Sequence, residues 1–291
     1  MEEGYFPRGR SVLRQIHDER LVGLFFGQRA LAVGALDQRN YVGTIASTNG
    51  RSTPFARLVR TANAFETVFF GSRTEADAVL ARVARLHVPV RGALARDAGP
   101  WPAGTPYSAS DDELMLWTVA VIADSAQCFY ELFVRRLSIE ERDLLWRDYV
   151  RFGALFGMDP SSVPSSYEEF RAWFEGRLAS DAMHLTDGAR YTGRAIALEI
   201  PLPRSRQGAK RIHDVVMLGS LPPRVRSLYE LSFSRRDARA FDFTVAALRA
   251  LRVVSPRALL RGGNERSFAV VAATERRRLR LGIPTPQVPA E

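Results

Sequence analysis

Apolar residues recur every three to four positions along nearly all of this 291-residue chain. That period belongs to the amphipathic α-helix. The strict alternation of a half-buried strand, bounded by hairpin turn residues, is nearly absent. The pattern predicts helices over residues 9–26, 28–48, 53–70, 73–88, 111–136, 138–157, 166–180, 186–199, 207–219, 222–230, 234–252 and 255–279. Start signals support several of them. Ser110-Asp111-Asp112-Glu113 places a cap and first-turn acids before the longest apolar helix, Ser138-Ile139-Glu140-Glu141 has capping-box spacing, and Thr74 with Asp77 resembles one. Gly71, the loop from Asp97 to Pro106, Asp159-Pro160, Pro201 and Pro203, and Pro222-Pro223 separate the segments. No repeat of fixed period and no long linker divides the chain, so the expectation is one all-α domain over residues 1–281. Residues 282–291, with three prolines and few apolar anchors, are expected to form a flexible C-terminal tail.

Composition changes this picture little. A chain of this length with 46% hydrophobic and 25% charged residues can bury most of its apolar surface and still enclose a cavity. The net charge of +9 bears more on partners. Lys210 is the only lysine among 41 basic residues, and the arginines are interleaved with 32 acidic residues rather than gathered with aromatics. Specific nucleic-acid binding is therefore weakly supported, while acidic partners or peripheral contact with anionic lipid remain open. The single cysteine, Cys128, excludes an internal disulfide and a cysteine-built metal cluster, and fits a reducing compartment. No basic segment followed by an apolar run opens the chain. The two most apolar stretches are interrupted by Gln28 and Arg29, and by Asp124, Ser125 and Gln127, so neither reads as a transmembrane span. A cytoplasmic location is expected.

Candidate chemistry centres on a few side chains. His87 has Leu80, Val83, Ala84 and Val90 as helical face-mates, whereas Arg82, Arg85 and Arg91 cover other sides. Its ring is expected to point into the core, either as a satisfied structural histidine or as the axial ligand of a buried cofactor. Pro89 should end or bend the helix just beyond it. Arg57 and Thr61 stand four apart on one face of another helix, with Phe65 and Val68 further along. An inward arginine needs an anion, which a structural Asp or Glu or a ligand carboxylate could supply. Arg60 lies on a neighbouring face and reads as solvated. His17 sits in the charged string Ile16-His17-Asp18-Glu19-Arg20 and suits a surface or capping role; His184 and His213 read as structural. Asp124 and Glu131, in the most apolar helix, are buried acids or face an arginine. Metal-ligand spacing of the His-Glu-x-x-His kind, a Gly-rich phosphate loop, a dinucleotide fingerprint and a nucleophile elbow are all missing from the sequence.

Several strings, taken in order, carry a resemblance. They are His17-Asp18-Glu19-Arg20; Gly27-Gln28-Arg29-Ala30-Leu31; Arg57-Leu58-Val59-Arg60-Thr61 with Phe70-Gly71 behind it; His87-Val88-Pro89-Val90-Arg91-Gly92; Tyr107 with Asp111 to Trp117; and Leu155-Phe156-Gly157. In this order, and with this spacing, the chain resembles the MpaB-type oxygenase family, which includes the rubber oxygenase (latex-clearing protein), over roughly residues 10–250. The resemblance implies an all-α fold whose globin-like core surrounds a buried b-type haem. It matches His87 to the proximal iron ligand, and Arg57 and Thr61 to a pair of haem-pocket residues with catalytic and cofactor-binding roles. It implies O2 and an unsaturated lipophilic small molecule, such as an isoprenoid, as partners, and cleavage of carbon–carbon double bonds as the reaction. Two positions depart from the family. The rubber oxygenase has an iron-capping lysine just before the pocket threonine, where this chain has Arg60. A guanidinium stays protonated and ligates iron poorly, so the distal position is expected to be open or water-bound. A distal carboxylate has only Asp37 as a match, within residues 35–41. Another haem oxidation (hydroxylation, dehydrogenation or peroxidase-like turnover), a non-catalytic haem- or lipid-binding protein, and a charge-driven DNA- or membrane-surface binder are the alternatives.

Overall fold

A computed structural model describes residues 3–46 and 53–283 of the chain. The fold is all-α. In chain order the helices are α1 (Val12–His17), α2 (Arg20–Gly34), α3 (Gln38–Ala46), α4 (Pro54–Phe70) and α5 (Arg73–His87). A two-stranded antiparallel hairpin follows, β1 (Arg91–Ala93) with β2 (Pro106–Ser108), in the register Arg91↔Ser108, Gly92↔Tyr107 and Ala93↔Pro106. Next come α6 (Asp112–Phe133), α7 (Ile139–Leu155), α8 (Tyr167–Ala179), α9 (Asp187–Leu198), α10 (Gln207–Ser220) and α11 (Pro223–Leu228). The chain continues through α12 (Arg235–Val254), α13 (Arg257–Leu260) and α14 (Glu265–Arg280). Full capping boxes open α5 (Ser72 with Glu75), α7 (Ser138 with Glu141) and α12 (Ser234 with Asp237), satisfying N–H groups that have no acceptor in the first turn.

The helix α6 is the central post, packed lengthwise against α2. The helices α9 and α10 rest on α2, α7 on α6, α8 on α7, and α12 closes over α6 and α10. Aromatic rings fill the space between these layers. Trp146 stacks on Phe170 at 4.1 Å, Trp117 on Phe174 at 5.6 Å, and Phe129 on Phe133 at 5.8 Å. Burying each such ring contributes about 1.5–3 kcal/mol relative to leaving it in water. The core also takes in charge. Asp124 is held between Arg29 (2.7 Å) and Arg171 (2.5 Å), and Arg29 also donates to Ser125 and to the Ser220 carbonyl. Glu131 accepts from Arg142 at 2.9 Å, so both acids of the apolar helix do meet arginines.

The helix pattern departs from the sequence expectation in three places. The chain breaks at Asp18–Glu19 and again at Ala35–Asp37, not within residues 26–28. At the second break Asp37 accepts from the Arg39 N–H at 3.0 Å and so starts α3. The last predicted helix is cut at Gly262, whose φ of +101° suits glycine alone, and Gly262 N–H donates to the Asp18 carbonyl. The hairpin is the third departure, because three-residue strands are too short to show alternation. Of the expected C-terminal tail, residues 284–291 lie outside the described residues. No described helix is long and apolar enough to cross a membrane.

Candidate active site

The site begins at the first turn of α4. Thr53 is its N-cap and Pro54 occupies the first helical position, where a missing N–H costs nothing. Glu275, fully buried on α14, accepts from the Thr53 hydroxyl and from the Ala56 N–H (3.1 Å), which ties α14 to this turn. Arg57 follows within the same turn. It is half-buried, and its guanidinium donates to the Thr44 carbonyl near the end of α3. Burial, then the like charge of Arg60, brings its pKa down to about 10. Arg57 is therefore still a cation at neutral pH. One turn on, Thr61 is exposed, and so is Arg60.

His87 is the last residue of α5, which packs against α4. The chain then turns through Val88 and Pro89 into β1: the Val90 N–H donates back to the His87 carbonyl (2.8 Å), and the Ala109 N–H donates to the Val90 carbonyl (2.9 Å). The hairpin rests on α3, where Val90 and the Tyr107 ring approach Gly43. So α3, α4, the end of α5 and the hairpin converge around one rim. Two influences hold the His87 pKa below the usual imidazole value: partial desolvation of the ring by neighbouring atoms first, although the side chain still reaches solvent, and the positive charge of Arg57 second. The outcome is a neutral imidazole beside a cationic arginine, with a nitrogen lone pair able to ligate a metal.

One expectation is corrected at this point. His87 is exposed and does not face a dry core. Of its face-mates, Val90 is buried, Leu80 and Val83 are half-buried, and Ala84 is exposed. Leu86 and Val88 beside it are 60% and 68% exposed. The reason is that α5 is a rim helix: apart from Ala76 none of its side chains is fully enclosed.

Residues 14–250 match the family described as ER-bound oxygenase mpaB/B'/Rubber oxygenase, catalytic domain. The chain belongs to this family. The match covers most of the sequence and includes α4, α5, the hairpin and α6, so the rim around His87 lies inside the oxygenase domain. No curated protein and no solved structure matches the chain.

The remaining candidates of this oxygenase have partners of their own within the fold. His17 is buried, contrary to the surface or capping role expected of it; its Nε2 bonds the Tyr149 hydroxyl at 2.7 Å and its ring stacks on Phe69 at 4.2 Å. His213 bonds Gln28 at 2.8 Å and stacks on Phe25, a structural role as read. Around His184, the Gln38 amide reaches the backbone carbonyl at 2.9 Å and the ring packs over Gly99. Lys210 is held by Asp214 and the Leu198 carbonyl. Asp37, the one match for a distal carboxylate, is fully buried and clamped by Arg39 (3.0 Å) and Arg177 (2.8 Å), which share Glu113. Sequence reasoning missed Thr44, whose contribution is a backbone carbonyl and leaves no trace in residue type. It quoted Tyr107 without a role; the signal available was Gly92 across the hairpin, where a Cβ would fall 2.8 Å from the Tyr107 hydroxyl.

Proposed function

We propose that the protein is a haem b-dependent oxygenase that uses O2 on an unsaturated lipophilic small molecule, with oxidative cleavage of a carbon–carbon double bond as the leading reaction. The observation that carries this reading is the neutral His87 imidazole set beside the Arg57 cation within a domain of the oxygenase family. The donor set fits a haem better than a bare ion. Among the described residues no group of three or more His, Cys, Asp or Glu is placed to hold a metal. A single imidazole suffices only where a porphyrin supplies the other ligands. His87 would hold the iron, Arg57 would hold a propionate, and Thr61 would line the pocket one turn away. When bound, haem supplies the redox chemistry that activates oxygen.

This chain's own residues supply position and surroundings. Arg57, pinned by the Thr44 carbonyl, would fix the orientation of an anionic edge through a charge-assisted bond. Leu86 and Val88 offer exposed apolar surface beside His87, which suits a lipophilic ligand and disfavours water. Arg60 would ligate iron poorly, Lys210 is engaged by Asp214, and His17 Nε2 and both ring nitrogens of His213 bond within the core, which supports an open distal position, with His184 as the competing cap. The test is the visible spectrum of protein purified from haem-supplemented cells, with the haem identified by its pyridine complex. One haem b per chain is expected, and His87→Ala should lose the Soret band while keeping its helical circular dichroism. A mutant with full haem and an unaltered spectrum would overturn the assignment.

A further inference from the structure

The outward face of α12 is apolar. Phe243, Ala247, Leu251 and Val254 follow one another along it at helical spacing. Phe243 is 77% exposed, Leu251 59% and Val254 77%; Val253 beside them is 82% exposed, and Leu259, on α13, is 69% exposed. The helix is nonetheless firmly seated. A capping box closes its start, Val245 is buried on the inner side, and Arg249 donates to the carbonyls of Glu131 and Leu132 (2.6 and 2.5 Å). Arg252 pairs with Glu19 at 2.8 Å. A surface helix normally turns its polar side outward, so a seated helix with apolar side chains in water marks a docking face.

Charge says what it fits. Residues 243–264 contain no Asp or Glu. Arg236 and Arg239 extend the same side of α12 ahead of Phe243, and Arg257 lies between Val254 and Leu259; all three are exposed. Asp242 is a neighbour in sequence but is turned about 100° away from Phe243 around the helix. A second copy of the chain would set these arginines against their own kind. An apolar stripe about 16 Å long with cations at both ends matches a helix lying in the plane of a bilayer, its side chains among acyl chains and its guanidiniums at phosphates.

We propose that α12 and α13 form an interfacial docking surface for anionic lipid bilayers. The surface lies apart from the His87 rim: the hairpin joins the N-terminal end of α6, whereas Arg249 grips its C-terminal end, about 33 Å along a helix of 22 residues. The proposal therefore stands or falls independently of the haem reading.

The experiment is flotation of the whole chain with vesicles of phosphatidylcholine alone and with phosphatidylglycerol added. Binding to the mixed vesicles is expected, weakening as salt is raised. Phe243→Ser with Val254→Ser should lower partitioning at least about tenfold, because both side chains leave the acyl layer. Arg239→Gln and Arg257→Gln should each cost about fivefold on anionic vesicles and little on neutral ones. These side chains are exposed, so thermal unfolding should be unchanged; Leu259→Ser is a second, independent apolar variant. Absence of binding, or equal binding by the Phe243→Ser Val254→Ser protein, overturns the proposal. So does a wild-type dimer in solution that Phe243→Ser dissociates, which would assign the face to a second copy.

Discussion

His17 and Tyr149 share a hydrogen bond sealed inside the protein, and its effect on acid stability can be worked out. His17 is 5% exposed and Tyr149 fully buried. Burial brings the His17 pKa from 6.5 down to about 3. The folded state thus holds the neutral ring, while the unfolded chain takes up a proton near pH 6.5. The contribution is fully present above the unfolded value, falls as pH drops below it, and levels off only near pH 3. In magnitude this is roughly 1 kcal/mol lost between pH 6.5 and 5.5, and roughly 2 kcal/mol by pH 4.5. Against a typical total of about 5–15 kcal/mol, that is measurable. Burial raises the Glu66 and Asp148 carboxyls, whose protonation acts in the opposite sense, so the comparison between variants carries the result. Urea midpoints across this range for the wild type and His17→Phe should converge as pH falls. His17→Phe strands the Tyr149 hydroxyl, a pH-independent cost of about 1–3 kcal/mol that Tyr149→Phe in the same chain should largely relieve. Parallel pH profiles for wild type and His17→Phe would refute the reasoning.

Other variants test the rim and its supports. Arg57→Ala should weaken haem retention about tenfold or more, measured by transfer to apomyoglobin, if the arginine holds a propionate. The ferric protein should bind added imidazole readily; a six-coordinate spectrum indifferent to imidazole would show that a side chain caps the iron. Asp37→Asn should cost roughly 3 kcal/mol in chemical denaturation, because Arg39 and Arg177 lose the buried charge they share. Glu275→Ala should cost about 1 kcal/mol and speed amide exchange at Ala56, since the Thr53 hydroxyl loses an acceptor and that N–H keeps only the long bond to Thr53 Oγ1 (3.4 Å).

Helical periodicity and capping residues located most of the elements, because both act within a turn or two of chain. The predicted starts at 73, 138 and 166 fall within a residue of α5, α7 and α8. What escaped were features decided at a distance. The break at Asp18–Glu19 is set by Gly262 and Arg252, the latter 233 residues from its partner Glu19. The partners Arg29 and Asp124 are 95 residues apart, and His17 and Tyr149 are 132 apart. No local pattern names such partners, so His17 in a charged string reads as a surface residue. His87 failed differently. Its apolar face-mates correctly indicated which side of α5 meets protein, but periodicity says nothing of how much protein lies over a helix end.

The contrast between the two histidines separates structure from function in this molecule. His17 has a hydrogen-bond partner, two aromatic rings in contact and only 5% of its surface exposed, so its neutrality serves the core. His87 is also biased toward neutrality, yet it stands exposed on a rim helix with a cation beside it. Stability does not explain that arrangement, because an exposed imidazole gains nothing from a neighbouring positive charge. An incoming anion would be attracted by Arg57, and an incoming metal would find an unprotonated ligand, so both biases make sense once a group carrying both is present. The turn that supports Arg57 is held in part by Glu275, which lies beyond the matched residues 14–250. Its second oxygen, Oε1, is buried and makes no hydrogen bond among the described residues. A carboxylate kept there at a desolvation cost fixes the start of α4 against α14, so the geometry of the rim depends on a helix outside the family match.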